Sequence, residues 1–318
     1  MHKKIKLIAR TTSAAALLAI GSSAFAAPEI GANIELDNTN RSGGAVAAGD
    51  KGLSQSGRVE ISASSKAGTN WFVAGKSAFV TKKDGTLGTD DMWIQLGSAT
   101  GDVKLGRFES ADLFPLAGDT LVNHAGNVYG ANTLRGRKAG DVFHAQGTIN
   151  FGAGLSFELG LIETTNNNIV GSGSKGTRPV LSYASGPLTL RAGVESGEYA
   201  SGNRVSGSGL TGSYDFGGFK LTANIAQGKQ DSATALNQSA IGLSASVGNL
   251  GLGFASGTND ITGGDTKVST VYGSYKIPLF DVSGASVTPA FSSSTVKNSV
   301  TGISTDENAF RVRLNYTF

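Results

Sequence analysis

The sequence predicts an all-β fold, a transmembrane antiparallel β-barrel of sixteen strands, on three observations. The first is the C-terminal stretch 308–318, where Phe310, Val312, Leu314, Tyr316 and Phe318 alternate with Arg311, Arg313, Asn315 and Thr317. Successive strand residues point to opposite faces, so in a soluble core the arginine face would be buried unpaired. A barrel wall with lipid outside and water inside accommodates both faces. The second is that alternating segments of this kind recur along the whole chain. The third is that the connections between them alternate short and long.

Taken in order, strands are expected at 28–37, 56–66, 70–80, 91–99, 102–108, 142–151, 154–163, 177–185, 187–196, 205–216, 219–228, 238–247, 249–257, 267–276, 284–293 and 308–318. The clearest apolar faces are Ile30/Ile34/Leu36, Leu155/Phe157/Leu159/Leu161, Leu188/Leu190/Ala192/Val194 and Ile241/Leu243/Ala245/Val247. Short connections fall at Ala67-Gly68-Thr69, Thr100-Gly101, Gly152-Ala153, Gly186, Gly217-Gly218, Gly248 and Pro278 to Ser283. Glycine there permits the positive φ of tight hairpins. Long connections fall at 38–55, 81–90, 109–141, 164–176, 197–204, 229–237, 258–266 and 294–307. Short periplasmic turns on one rim and long extracellular loops on the other are the pattern of barrels that cross an outer membrane. An even strand count puts both chain ends on one rim and pairs the first strand with the last.

The N-terminus reads as a secretory signal. Lys3, Lys4, Lys6 and Arg10 precede the apolar run Ala14 to Ile20, and Ala24-Phe25-Ala26 is a small-x-small cleavage site. The expected division is a signal peptide at 1–26 and a barrel at 27–318. Of 27 Lys and Arg residues, four leave with the signal, so 23 remain against 24 Asp and Glu. The basic pI thus belongs mostly to the precursor and gives no reason to expect a nucleic-acid partner. The chain has no cysteine, which excludes disulfides, thiol catalysis and zinc–thiolate sites. No apolar run after the signal reaches the length of a transmembrane helix.

Three stretches resemble the Gram-negative general porins, most closely those of β-proteobacteria. They are the first strand Pro28-Glu-Ile-Gly-Ala-Asn-Ile-Glu-Leu36, the segment Gly101-Asp-Val-Lys-Leu-Gly-Arg107 before one long loop, and the terminal strand ending in Phe318. The resemblance covers essentially all of 27–318; the wording of Ala111 to His124 departs from the third loop of the best-known members. It implies a homotrimer of sixteen-stranded barrels in the outer membrane, each with its third loop folded into the pore. The implied partners are outer-membrane lipid, lipopolysaccharide, small hydrophilic solutes and ions. The barrel assembly machinery would be met through the strand ending at Phe318. Small-residue faces such as Ala63 and Gly75 would suit contacts between copies.

The segment 109–141 is longer than joining two neighbouring strands requires, and such loops tend to carry function. Its candidate constriction residues are the acids Glu109, Asp112 and Asp119, followed by the bases Arg135, Arg137 and Lys138. Folded across a pore, loop acids facing a basic wall would create a transverse field. Strand parity turns Arg58, Lys76, Lys104, Arg178, Arg191, Lys220, Arg311 and Arg313 into the lumen, against Glu35, Asp37, Glu60, Glu158 and Glu195. Eight against five predicts a weak preference for anions. Arg107 follows Gly106, where a bulge would turn it inward as well. Trp71, Phe79, Phe143, Phe151, Tyr214, Phe219, Phe254, Phe291, Tyr316 and Phe318 are expected in the interfacial girdles.

Catalytic signals are weak. Only His124 and His144 remain after the signal, and His144 is expected inward beside Gln146 as a lumen polar residue. No Gly-x-Ser-x-Gly elbow is present. No catalytic residue, cofactor or metal site is expected. A sixteen-strand barrel is wide enough to leave water inside, so the expected function is passive diffusion of small hydrophilic solutes and ions. The alternative is a substrate-specific channel for sugars or organic acids. An aromatic slide would mark a sugar channel, and only Phe72 reads inward in the strands.

Overall fold

The computed structural model describes residues 27–318 except 69, 119–129, 137–141, 165–173, 200–201, 232–235 and 262–263. The signal segment 1–26 and the candidates Asp119, Arg137, Lys138 and His124 lie outside the described residues. The strands are β1 (Glu29–Ser42), β2 (Gly52–Ala67), β3 (Trp71–Thr81), β4 (Leu87–Ser98), β5 (Gly101–Arg107), β6 (Val142–Gly152), β7 (Leu155–Thr164) and β8 (Ser174–Ser185). They continue with β9 (Leu188–Tyr199), β10 (Arg204–Asp215), β11 (Lys220–Gln230), β12 (Leu236–Val247), β13 (Leu250–Ile261), β14 (Gly264–Tyr275), β15 (Ala285–Asn298) and β16 (Ser304–Thr317). The pairing of β14 with β15 resumes past Lys276 at Ile277–Pro278.

Each strand pairs antiparallel with its sequence neighbours. The sheet closes where β1 pairs with β16, from Asn33↔Thr317 to Ser42↔Asn308. Ala32 and Phe318 add a last rung, each backbone N–H donating to the other's carbonyl at 2.8 and 3.0 Å. The barrel is therefore a closed ring of sixteen strands with no free edge.

Alternation sorts the two faces as the sequence predicts. On β12, Ile241 and Leu243 are exposed on the outside while Ala240, Gly242 and Ser244 are buried within. All ten aromatics expected in the girdles are exposed on the exterior. The short turns lie where expected; Gly186 and Gly248, both at φ 54°, occupy the left-handed conformation that a tight hairpin requires. Gly101 is a glycine for another reason: its φ is ordinary, and an added Cβ would collide with the Thr148 carbonyl.

Several strands run further toward the long-loop rim than expected. β1 continues to Ser42 and β16 begins at Ser304, four residues before the expected start. The added residues, such as Asn38-Thr-Asn-Arg-Ser42 and Ser304-Thr-Asp-Glu-Asn308, are polar on both faces. They stand above the hydrocarbon layer, where a strand needs no apolar face, so period-two patterning stops before the hydrogen-bond ladder does.

A bulge interrupts the ladder between β3 and β4. Ser77 pairs with Met92 and Phe79 with Thr89, so Ala78 faces both Asp90 and Asp91. Two residues opposite one break the in–out alternation and re-aim side chains. Asp90, assigned to a loop by periodicity, thereby joins Asp91 in reaching Arg58 from the barrel wall.

Candidate functional site

β5 has seven residues and ends part-way up the wall, and the chain then turns inward. From Phe108 to Gly118 it travels round the inner surface, meeting the strands nearly one residue at a time. The Ser110 hydroxyl meets His144 of β6 at 3.0 Å. The Ala111 N–H donates to Glu158 of β7 at 3.1 Å, and its carbonyl accepts from Arg178 of β8 at 2.7 Å. The Asp112 carbonyl accepts from Arg191 of β9 at 3.0 Å, and Thr211 of β10 reaches the Leu113 carbonyl at 3.3 Å. Asn224 of β11 donates to the Pro115 carbonyl at 2.6 Å. Phe114 lies against Gly242 of β12, and Gly118 against Gly251 of β13. An extended chain advances about 3.3–3.6 Å per residue, less than the about 4.7–4.9 Å between strands. A segment lying inside the wall, nearer the axis, covers a shorter arc and keeps pace.

Apolar packing fixes this path. Leu113 and Phe114 are buried with Ala131 of the returning chain against Val180, Ala226, Ala240, Ala255 and Val268 of the inner wall. Glycines on the wall make the room. A Cβ at Gly209 would stand 2.7 Å from the Leu113 Cβ and 2.8 Å from its carbonyl oxygen, and one at Gly242 would stand 2.9 Å from the Phe114 ring. These glycines have ordinary backbone angles; what they supply is close approach.

Buried polar groups hold the returning chain. Arg178, 1% exposed, donates to the Ala131 carbonyl and to Asn132 Oδ1, and its Nε lies 3.4 Å from Glu195. Glu195 accepts the N–H groups of Thr133 and Leu134 at 2.8 and 3.0 Å. Arg178 was expected to line the open lumen; it does face inward, but the loop covers it and takes up its donors. His144 is corrected in the same way. It is 1% exposed and its ring stacks on Phe108 at 3.9 Å. The Phe108 carbonyl can only accept, so Nδ1 carries the proton and Nε2 accepts from Ser110. The histidine is a loop anchor.

The expected transverse arrangement, with loop acids facing a basic wall, does not form among the described charges. Arg135, from the loop itself, neutralises Glu109 at 3.1 Å and Asp112 at 3.3 Å. Across the lumen the wall charges pair with one another. Arg58 contacts Glu60, Asp90 and Asp91, and Lys76 contacts Glu60 and Asp91. Arg313 grips Asp37 with two contacts of 2.8 Å and lies 3.6 Å from Glu35, while Arg311 lies 3.7 Å from Asp37. Arg41 pairs with the buried Glu307 at 2.8 Å. Arg107 donates to the Asp90 carbonyl. Asp90, Glu307 and Arg41 fall in expected loops and Asp91 was not counted inward; adding them to the wall brings its bases and acids close to balance.

Among the described residues, Lys104, Arg191 and Lys220 have no carboxylate within ion-pair distance. Lys104 lies over Trp93 and Phe108, 4.0 and 4.5 Å from their ring centres, as a cation–π contact. Trp93 therefore faces inward alongside Phe72, and so does the buried Tyr272. Neither added aromatic offers an open stacking face, since Lys104 covers one and burial hides the other.

The profile of the Gram-negative porin family matches residues 12–281. No curated protein matches the chain. The fold is similar to OmpT folded in vitro in its trimer form, an outer membrane protein of Vibrio cholerae, at TM-score 0.67 and 14% identity over 92% of this chain and 100% of that one. It is similar to Salmonella typhi OmpF in complex with daunomycin, at TM-score 0.66 and 13% identity over 92% and 97%. It is also similar to the anion-selective porin from Comamonas acidovorans, at TM-score 0.64 and 14% identity over 92% and 99%.

Proposed function

Because the chain belongs to the Gram-negative porin family and forms a passive channel through the outer membrane, we propose that it admits small hydrophilic solutes and ions with a weak preference for anions. One observation carries this reading. The described loop residues 108–118 and 131–136 lie against β6 to β14, and the part of the wall formed by β16 and β1 to β4 carries a separate set of ion pairs. A narrowed aqueous passage of that kind sorts by size first and by charge weakly. The anion preference rests on Arg191 and Lys220 below the loop, because the described constriction charges are close to balanced.

The chain is read as a channel and not an enzyme, since the buried His144 is engaged in holding the loop. The assembly is read as a homotrimer, with the small outer faces of the early strands between copies; Ala63 and Gly75 are cross-strand partners there. The remaining outer surface meets lipid and lipopolysaccharide, and the β16 end at Phe318 serves recognition by the barrel assembly machinery. A signal peptide at 1–26 directs export. The cavity that holds Arg191 and Lys220 favours a second reading, a channel adapted to organic acids.

The test is single-channel conductance in a planar bilayer under a salt gradient. Large steps in groups of three with a small anion-favouring reversal potential are expected. A cation-favouring potential would overturn the charge reading, and a folded barrel that conducts nothing would overturn the channel.

A further inference from the structure

On the short-turn side of the loop, between its tip and β9 to β12, lies a cavity of about 350 Å³. Its roof is apolar, formed by Pro115, Leu116 and Ala117, and its wall is polar. Two cations enter it, Arg191 from β9 and Lys220 from the start of β11, together with the hydroxyls of Thr189, Thr222 and Ser246. Among the described residues no carboxylate lines it. The acids nearby are occupied elsewhere: Asp112 pairs with Arg135 and offers Arg191 only its carbonyl, and Glu158 accepts the Ala111 N–H. Asp215, opposite Lys220 in the ladder, accepts the Gly217 N–H at 2.8 Å. The hydroxyls of Thr189 and Ser246 have no partner among the described residues.

We propose that this cavity binds a small dianionic oxyanion, a dicarboxylate or a phosphate, on the periplasmic side of the constriction. Two cations with no ion-pair partner among the described residues, placed in a recess, match a ligand with two negative charges. A guanidinium takes an oxyanion in bidentate fashion and an ammonium adds a point charge. Free hydroxyls supply the remaining donors, and the apolar roof excludes water from one side. Thr189, Lys220 and Ser246 stand within a few residues of the turns at Gly186, Gly217 and Gly248, so the recess opens toward the periplasm. A solute that has crossed the constriction meets it on the way out, and the same solute reaches it directly from the periplasm. The inference deepens the organic-acid reading of the channel and rests on it for its transport meaning.

The experiment is calorimetric titration of the folded, detergent-solubilised full barrel with succinate and, separately, with inorganic phosphate, alongside chloride conductance of the same preparation. Saturable binding is expected, weakened roughly tenfold by Lys220→Gln and at least as much by Arg191→Gln, about the value of one charge-assisted contact. Arg191 also holds the loop through the Asp112 carbonyl, so Lys220→Gln, which breaks no other contact, is the decisive variant. Tighter binding of succinate assigns the site to carboxylates, and tighter binding of phosphate assigns it to phosphates. A wild-type barrel that binds neither ion, or a Lys220→Gln variant with unchanged affinity, overturns the site. Absent binding with normal chloride conductance condemns the site alone; binding without conductance condemns the channel reading alone.

Discussion

At the residue scale the decisive feature is that one inward-facing arginine, Arg178, is hidden. Arg178 and Glu195 are both essentially inaccessible, and together they bind four backbone groups and Asn132 of the loop. A buried pair of this kind contributes little relative to an apolar replacement, but removing one partner strands the other and costs about 3–5 kcal/mol. The cost falls on the loop, because the strand ladder around Arg178 is intact without it. Arg178→Met is therefore expected to keep the barrel's circular dichroism while releasing the returning chain. The readout is open-channel current noise, expected to rise together with mean conductance. Glu195→Gln retains an amide oxygen for Thr133 or Leu134 and is expected to show a smaller rise. Equal, quiet currents from Arg178→Met and wild type would show that the pair does not restrain the loop.

At the element scale, the loop and the wall are shaped to each other. Gly209 has no Cβ because the Leu113 backbone lies where it would go, and a carbonyl oxygen cannot swing aside as a side-chain terminus can. Gly209→Ala is expected to push Leu113 off the wall and exchange its buried apolar contacts for water, at about 2–3 kcal/mol. Conductance should increase, and a protease should cut within the loop at a rate above wild type. Gly212, also on β10, has a Leu190 side-chain atom 3.4 Å from its would-be Cβ and no loop contact, so Gly212→Ala should leave both readouts at wild-type values. Indistinguishable Gly209→Ala and Gly212→Ala channels would refute loop docking at this position.

These glycines also mark where sequence reading stopped. The strand centres were legible because lipid enforces an apolar outer face, and Ile241/Leu243 or Phe310/Val312/Leu314 can be read without any structure. The extracellular halves were not, since Asn38 to Ser42 face water on both sides and carry no period. Glycine was read as turn chemistry, which suits Gly186 and Gly248 but misses Gly193, Gly209 and Gly242, whose reason is a loop distant in sequence. Asp90 fell in an expected loop, because the bulge breaks the alternation there and the opposite-strand register is invisible in a single chain. The inward direction of Arg178 was legible; its burial was not, because what covers it is the loop chain at Ala111, Ala131 and Asn132, distant in sequence. A signal existed in the apolar residues of the loop, Leu113, Phe114, Leu116, Leu121, Val122, Val128 and Tyr129, which a loop has no use for unless something covers them.

At the scale of the whole molecule, the seam between β1 and β16 sets the barrel apart from a stack of hairpins. Every other ladder joins neighbours in sequence. This one joins residues some 270 apart, and closing so long a loop carries a larger entropic cost than closing a hairpin. The lumen side of the seam carries a cluster of interstrand ion pairs, as the β2 to β4 wall does: Asp37 of β1 with Arg311 and Arg313 of β16, Glu35 with Arg313, and Arg41 with Glu307. The Arg313–Asp37 pair is bidentate and Glu307 is buried, so these contacts are worth more than ordinary surface pairs. They reinforce the one pairing that local folding cannot supply, and charges so engaged contribute little to solute selection. The double variant Asp37→Asn/Glu307→Gln is expected to lose about 2–4 kcal/mol in urea unfolding from lipid vesicles, scaled from about 1.5–3 kcal/mol per charge-assisted bond. Asp231→Asn, which breaks the exposed Lys229–Asp231 contact away from the seam, is expected to cost under about 1 kcal/mol. Because ordinary screening acts on exposed charges, high salt should abolish the small effect and leave most of the large one. If both variants lose the same stability and salt removes both losses alike, the seam is held by its backbone ladder alone, and the ion pairs must be counted as part of the lumen's charge after all.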